Sequence, residues 1–423
     1  MLDPKYIREH AEEVRENCRR RKSSADVDAW LLLDGQRLKA MQEVEALRAE
    51  RNAVAESMKG AHTAEEREPL IARGKSLKDE LTVKEAGLAE LESGWKTLLL
   101  AFPNLTHPNV PVGKDDSENV EIRKVGEIQK LENPLDHVQL AEKHDLIDFV
   151  RGAKVAGAKF YFLKGKGALL EQALIRFALD YLVNEGFTPL STPDLAKDEV
   201  LVGTGYNPRG PETQIYSIEN TDLSLIGTAE ITIGGYHKDE ILPAAEMPLK
   251  YAGISHCYRT EAGAYGKESY GLYRVHQFSK VEQFVICAPE QSDALLEEIQ
   301  RHSENIFKAL EIPFRVIEIC TGDFGNPHYK KYDIEAWMWG RGEGAGDWGE
   351  VTSASNCTDY QARRLNIRVK NEDGDNVFAH TLNNTALAVS RALIALLENH
   401  QQEDGTIKIP AALVPYCGFD TIG

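Results

Sequence analysis

The sequence predicts an α+β fold: an antiparallel sheet flanked by helices, preceded by an all-α antiparallel coiled-coil hairpin. Three observations carry that reading. Two successive stretches before residue 104 repeat their apolar residues in steps of three and four. The charge balance changes at about the same place. Beyond it, strand-like runs follow one another with few crossover helices between them.

The first seam runs Trp30, Leu33, Arg37, Ala40, Val44, Leu47, Arg51, Val54, Met58, and only its two arginines are not apolar. This is coiled-coil spacing rather than the wider stripe of a globular helix. A second seam runs Leu70, Gly74, Leu77, Leu81, Lys84, Leu88, Leu91, Trp95, Leu98, Phe102, with Gly74 and Lys84 as its exceptions. Between them lies Gly60-Ala61-His62-Thr63-Ala64-Glu65, where Thr63 precedes Glu66 by three residues and reads as a capped helix start. So short a link makes the two helices fold back on each other. At about 1.5 Å per residue, a helix over 30–58 is a rod about 43 Å long. Dimerisation through this hairpin is one reading. Against it, each seam already has a partner in the same chain, and Arg48, Arg51, Lys59, Arg73, Lys75 and Lys78 stud both helices near the tip.

Residues 103–145 carry Pro103, Pro108, Pro111, Gly113 and Pro134 and read as a linker with a short strand at 119–123. A helix is expected over 169–183, then a strand at 187–190. Further strands are expected at 249–258, 272–278, 282–287, 314–320 and 332–338. Helices are expected at 293–310 and 386–399.

Composition narrows the class. The chain has 423 residues, 42% of them apolar, with 33 Gly and 17 Pro, which fits a folded protein of more than one domain. No apolar run is long enough to cross a bilayer, and the N-terminus MLDPKYIREH has no signal-peptide character. Six scattered cysteines, none at metal or redox spacing, suit reduced thiols in the cytoplasm. A net charge of −18 argues against a nucleic-acid partner for the chain as a whole. Sorted by segment the argument weakens. Residues 1–104 hold 18 basic and 20 acidic side chains, so nearly all the excess acid lies in the remaining 319 residues. Whole-chain charge therefore speaks to solubility more than to partner choice.

For chemistry, Gly152 to Gly167 lacks the Gly-Lys-Ser/Thr ending of a phosphate loop, and no dinucleotide fingerprint is present. The segment HCYRTEAGAYGKESYGLYRVHQFSKVEQF, beginning at His256, says more. If it is extended, Arg274, His276, Phe278, Lys280 and Glu282 share one face, and Arg259 and Glu261 share a face of the neighbouring strand. Arginines, carboxylates and a ring suit a nucleotide better than a core, because a guanidinium fork matches phosphate and a ring can stack on a base. A solvated sheet face is the plainer alternative.

These residues resemble motif 2 of the class II aminoacyl-tRNA synthetases: aromatic-Arg-x-Glu at Tyr258 to Glu261, a variable loop, then Arg-x-x-x-Phe at Arg274 to Phe278. Gly186 to Pro193 looks like motif 1, with Pro193 its proline, and Ala386 to Arg391 looks like motif 3. Within that class the resemblance is to the seryl-tRNA synthetases, carried by FYFLKGKGALLE, LIGTAE, RVHQFSKVEQF, SASNCTDYQARRLNI and TLNNTALA and by the hairpin itself. It covers nearly the whole chain.

The resemblance implies an N-terminal domain over 1–104 whose arm binds tRNA, and a linker and catalytic domain over 105–423. It implies ATP-dependent activation of serine with Mg²⁺, transfer to the 3′ end of tRNA(Ser), and tRNA(Sec) as a further acceptor. It implies a cytoplasmic homodimer with Pro193 at its interface. Arg259 and Arg391 would hold phosphates and, with Glu261, form the catalytic set. The ATP site would draw on Arg259, Thr260, Glu261, Arg274, the Val275 backbone, Phe278 stacked on adenine, Glu350, Val351, Thr352, Ser353 and Arg391. Glu350 and Ser353 would bind the metal. Thr228, Ala229, Glu230, Arg259, Glu282, Asn383 and Thr385 would surround serine, with Glu282 facing its ammonium. Gly263, Gly266 and Gly271 make the loop over 262–271 a candidate to move. Two other readings stay open: a catalytically silent tRNA-binding paralogue, and an amino-acid ligase that loads a carrier protein. The intact Arg259, Glu261, Arg274, Glu350 and Arg391 weigh against the first, and the hairpin against the second.

Overall fold

The computed structural model describes residues 1–208, 214–262, 270–371 and 373–423. The chain divides into two compact units, Met1–Pro103 and Asn104–Gly423. The glycines Gly263 and Gly266 lie outside the described residues.

The first unit is all helix: α1 (Pro4–Glu9), α2 (Ala11–Arg20), α3 (Val27–Gly60) and α4 (Ala64–Ala101). The two short helices had no counterpart in the heptad pattern, being too brief to show a period. Local chemistry sets the starts. Asp26 caps α3 by accepting from Ala29 N, and Thr63 and Glu66 form a reciprocal capping box on α4. Along the seam Trp30, Val44, Leu77 and Leu81 are buried, whereas Arg51 and Lys84 lie in solvent. The Trp30 ring stands edge-on to Phe102 at 6.1 Å and tilted to Trp95 at 6.0 Å. Beside them Asp34, only 2% exposed, accepts from Trp95 Nε1 at 2.8 Å and pairs with Arg8 at 2.9 Å and Arg37 at 3.1 Å. A carboxylate can sit there because three donors meet it.

The second unit is built on an eight-stranded sheet. Its strands are β1 (Val120–Val125), β2 (Thr188–Ser191), β3 (Leu249–Tyr258), β4 (Gln277–Cys287), β5 (Phe314–Glu318), β6 (Lys330–Met338), β7 (Asp347–Asn356) and β8 (His380–Ala388), in spatial order β1-β5-β6-β7-β8-β4-β3-β2. All neighbours are antiparallel except β2 and β3. The helices that matter for the site are α5 (Lys166–Asn184), α6 (Ala229–Gly234), α7 (Ser292–Ala309), α8 (Tyr360–Leu365) and α9 (Val389–Asn399).

Strand β4 shows how the sheet sorts its side chains. Val281, Val285 and Cys287 join the large core with Leu170 and Leu174 of α5, Leu296 and Ile299 of α7, and Leu393 of α9. The alternate residues Phe284 and Ile286 join a second core with Ala229 and Ile233 of α6. Lys280 and Glu282 belong to that alternation but precede the second core, so they are left for the site, whereas Phe278 both packs against the large core and lines the cleft.

Two expected boundaries are corrected. The runs expected as strands at 272–278 and 282–287 are one strand, β4, and Arg274 and His276 precede it. Gly271 turns the chain there in the left-handed region, where an added Cβ would collide with the His137 ring. The helix expected from Ala386 begins at Val389, because Ala386 to Ala388 complete β8 against β4. Small apolar residues serve either state, and the sheet decides.

Candidate active site

A cleft opens over β4, β7 and β8. Of the residues expected to be functional, it is lined by Arg259, Glu261, Val275, Phe278, Glu350, Val351, Thr352, Thr385 and Arg391. Tyr273, Lys280, Ala388 and Ser390 complete it.

Arg259 follows the end of β3, and its backbone N–H donates to the His276 carbonyl. Its guanidinium lies 5.4 Å from the centre of the Phe278 ring. Glu261 adopts a left-handed backbone and accepts from Arg274 Nη1 at 3.3 Å. Arg391, in the first turn of α9, donates to the Glu350 carbonyl at 2.9 Å and faces its carboxylate at 3.3 Å. The Tyr273 ring is flanked by two guanidinium groups, Arg391 at 4.6 Å and Arg341 at 4.5 Å. Arg391 thus keeps its orientation through stacking as well as charge.

Glu350 and Ser353 lie on β7, with Asp333 of β6 opposite Ser353 in register. Burial would raise the Glu350 carboxyl, but the positive field of Arg391, then of Lys331 and Arg259, holds it below its usual range. An ionised carboxylate and a hydroxyl, both oxygen donors, fit Mg²⁺ of the kind that takes one or two protein ligands beside phosphates and water. Thr352 Oγ1 is buried with no partner among the described residues.

The cleft wall at Lys280 and Thr385 continues into a cluster of buried polar side chains that can serve as a pocket for a small polar ligand. Thr228 caps α6 by accepting from Glu230 N. Lys280 Nζ donates to Thr228 Oγ1 at 2.7 Å and lies 2.6 Å from Glu282. Thr385 stands opposite Glu282 in the β8–β4 register and donates to its carboxylate at 3.2 Å. The Glu230 carboxyl is pushed up to about 7 by burial, with the neighbouring Glu282 adding to it. Asn383 is buried with its Oδ1 unpartnered among the described residues, a free acceptor beside this pocket. Ala229 buries its methyl in the second core, so only its backbone can reach a ligand. Thr260, Arg274 and Ser353 do not line the cleft.

Sequence reasoning gave no role to Tyr273, Tyr206 or Gln361. Lys280 shares its predicted face with Phe278 and Glu282, but the sequence assigns it no partner. Alternation along β4 could have found Lys280, since a lysine between Phe278 and Glu282 must share their side. No pattern marks Tyr273, which reaches the cleft from the irregular segment before β4.

The fold and the cleft are those of a class II aminoacyl-tRNA synthetase. Residues 214–400 match the tRNA synthetase class II core domain (G, H, P, S and T), and residues 1–106 match the seryl-tRNA synthetase N-terminal domain. A serine–tRNA ligase of Treponema denticola is 54% identical over the full length of both chains. The crystal structure of seryl-tRNA synthetase from Pyrococcus horikoshii complexed with ATP superposes with a TM-score of 0.91 at 43% identity, covering 100% of this chain and 99% of that one. The cytoplasmic serine–tRNA ligase of Naegleria fowleri in complex with AMP gives 0.85 at 31% identity, covering 98% and 95%. The chain belongs to the seryl-tRNA synthetase family, the serine–tRNA ligases.

Proposed function

We propose that this chain activates L-serine with ATP in the cleft and transfers it to the 3′ end of tRNA(Ser), with tRNA(Sec) as a second acceptor. The observation that carries the reading is the adjacency of two differently built sites. Arg259, Arg391 and Glu350 line an open cleft, and Thr228, Glu230, Glu282 and Thr385 form a buried polar pocket beside it.

The chemistry needs no protein nucleophile. A serine carboxylate oxygen attacks the α-phosphorus, the bond to the β-phosphate oxygen breaks, and pyrophosphate leaves. In the second step the terminal tRNA hydroxyl attacks the seryl carbonyl and AMP leaves. The enzyme contributes positioning and stabilisation of negative charge. Arg259 meets the α-phosphate, Arg391 the outer phosphates, and Phe278 the adenine, whose edge faces Glu261 and the Val275 backbone. Thr260, Arg274, Val351 and Thr352 complete that ATP site. Glu350 on the cleft wall and Ser353, three residues along the same strand, would hold Mg²⁺, which would supply positive charge to the phosphates. Thr385 and Glu282 read serine's hydroxyl; the sequence suggested Glu282 for the ammonium, but Lys280 at 2.6 Å already balances its charge. A substrate lacking the hydroxyl leaves those buried groups unpaired and is rejected. Asn383 and the Ala229 backbone close the pocket.

The division at 104 separates a tRNA-binding arm from the catalytic part. Two copies pair through the segment ending at Pro193, and the enzyme works in the cytoplasm. No described helix is long and apolar enough to cross a membrane. ATP–pyrophosphate exchange with serine, followed by charging of tRNA(Ser), tests the reading. Exchange dependent on serine but not on alanine is expected. No exchange above background would favour a silent paralogue, and exchange without charging would favour a ligase for another carrier.

A further inference from the structure

Behind the polar pocket a run of buried hydrogen bonds leads from the sheet to Glu230. Thr381 of β8 donates its hydroxyl to Gln361 Oε1 at 2.7 Å. The Gln361 amide nitrogen donates to Glu230 Oε1 at 2.7 Å and to the Thr204 carbonyl at 3.0 Å. Tyr206 donates its hydroxyl to the other Glu230 oxygen at 2.8 Å. Gln361, Thr381 and Thr204 are at most 1% exposed, so no water substitutes for these partners from bulk.

This wiring allows one orientation of the Gln361 amide. Both of its N–H groups and its oxygen are engaged, and the reverse orientation would turn a carbonyl toward a carboxylate in a buried space. Thr381 sets that orientation from the sheet, and α8 supplies the rigid base for Gln361. The outcome for the two pocket carboxylates differs. Glu282 has a cation of its own, Lys280 at 2.6 Å. Glu230 is held by two neutral donors and makes no ion pair among the described residues.

We propose that Gln361, oriented by Thr381 and opposed by Tyr206, is a positioning residue for amino-acid recognition. It fixes Glu230 as the uncompensated carboxylate that receives the substrate's ammonium group. The inference rests on the reading of the pocket as the serine site and deepens it. It also divides labour between the carboxylates. Glu282, already neutralised by Lys280, faces the hydroxyl, and Glu230 faces the charge. Neutral donors suit this task, because a cation at Gln361 would cancel the attraction Glu230 offers. The other ionisable groups facing Glu230 are Glu282, Lys280 and Tyr206, with Arg259 beyond Tyr206.

The test separates the Michaelis constants of serine and ATP in pyrophosphate exchange by the full chain. Gln361→Leu is expected to raise the serine KM about 10- to 100-fold, the loss of a hydrogen bond to a charged group. The ATP KM and kcat at saturating serine stay within about twofold of wild type. Thr381→Val moves the serine KM the same way and Thr381→Ser leaves it unchanged. If Gln361→Leu does not fold, Gln361→Glu keeps the volume and places a second acid against Glu230. It should then shift the acid limb of the serine KM profile to higher pH and leave the ATP profile alone. An unchanged serine KM, equal rises in both constants, or an unmoved acid limb would overturn the proposal. A wild-type chain that does not exchange with serine overturns the functional reading instead.

Discussion

Lys280 Nζ lies 2.6 Å from a Glu282 carboxylate oxygen, and both side chains are at most 5% exposed. The pair is held from both sides, since Lys280 also donates to Thr228 and Glu282 accepts from Thr385. Removing one partner of such a pair leaves a buried charge with nothing to balance it. Lys280→Met should therefore cost about 3–5 kcal/mol of stability in chemical unfolding. The double variant Lys280→Met with Glu282→Gln should recover much of that loss. A single variant as stable as wild type would show that Glu282 does not depend on Lys280 as its partner.

Glu230 predicts a pH dependence of stability. Its carboxyl titrates near 7 in the folded chain, well above an ordinary glutamate, because burial disfavours its charge. A raised folded value means the native state holds the proton longer than the unfolded chain. The stability it contributes is complete below the ordinary glutamate range and is lost as pH rises through about 7. Glu230→Gln cannot lose a proton, so its stability relative to wild type should grow between pH 5 and pH 8, by roughly a few kcal/mol. Serine binding adds a second sign. An ammonium ion favours ionised Glu230, so below about pH 7 binding should release a proton, and calorimetry in buffers of different ionisation enthalpy would measure it. Proton uptake, or none, would contradict the assignment.

These two carboxylates show what was legible in the sequence and what was not. The period of two along 277–287 put Lys280 and Glu282 on one face, and the heptad seams marked the paired helices, because periodicity is a local property of the chain. Asp34 broke the heptad rule unnoticed. Its burial depends on Trp95 and Arg8, which are distant in sequence. Gln361 and Tyr206 reach Glu230 across separations of 131 and 24 residues, and no local pattern reports such a contact. The strand expected from residue 272 begins only at Gln277 for a related reason. A run rich in Tyr, Val and Phe reads as extended, yet the left-handed glycine and the packing on His137 make it a turn.

Arg391 is oriented by three features at once: the Glu350 carbonyl at 2.9 Å, its carboxylate at 3.3 Å and the face of Tyr273 at 4.6 Å. A lysine keeps the charge but neither the planar fork nor the stacking. Arg391→Lys should lower kcat/KM for ATP by about 100-fold, the scale for loss of one well-aimed charge stabiliser. Stabilisation of the variant by serine in thermal melts should match wild type. A loss confined to serine would place Arg391 in the amino-acid pocket rather than on the phosphates.

The basic residues of the hairpin divide into two sets. Arg48 pairs with Glu85 at 2.7 Å, and Arg73 pairs with Glu50 at 2.8 Å and Glu80 at 2.9 Å. Arg51, Lys75 and Lys78 are exposed and make no ion pair among the described residues. A cation already neutralised by a neighbouring carboxylate adds little to phosphate binding, whereas an unpaired one displaces a counterion when it meets RNA. Reversing Arg51, Lys75 and Lys78 together to glutamate should thus raise the tRNA KM at least about tenfold and flatten its salt dependence. Serine-dependent pyrophosphate exchange should not change. Reversing Arg48 alone should do less, since Glu85 already offsets its charge and an exposed pair of this kind is worth only about 0–1 kcal/mol. If the triple variant charges tRNA as wild type does, the arm does not grip RNA through these side chains, and the near-neutral balance of its surface reflects solubility alone.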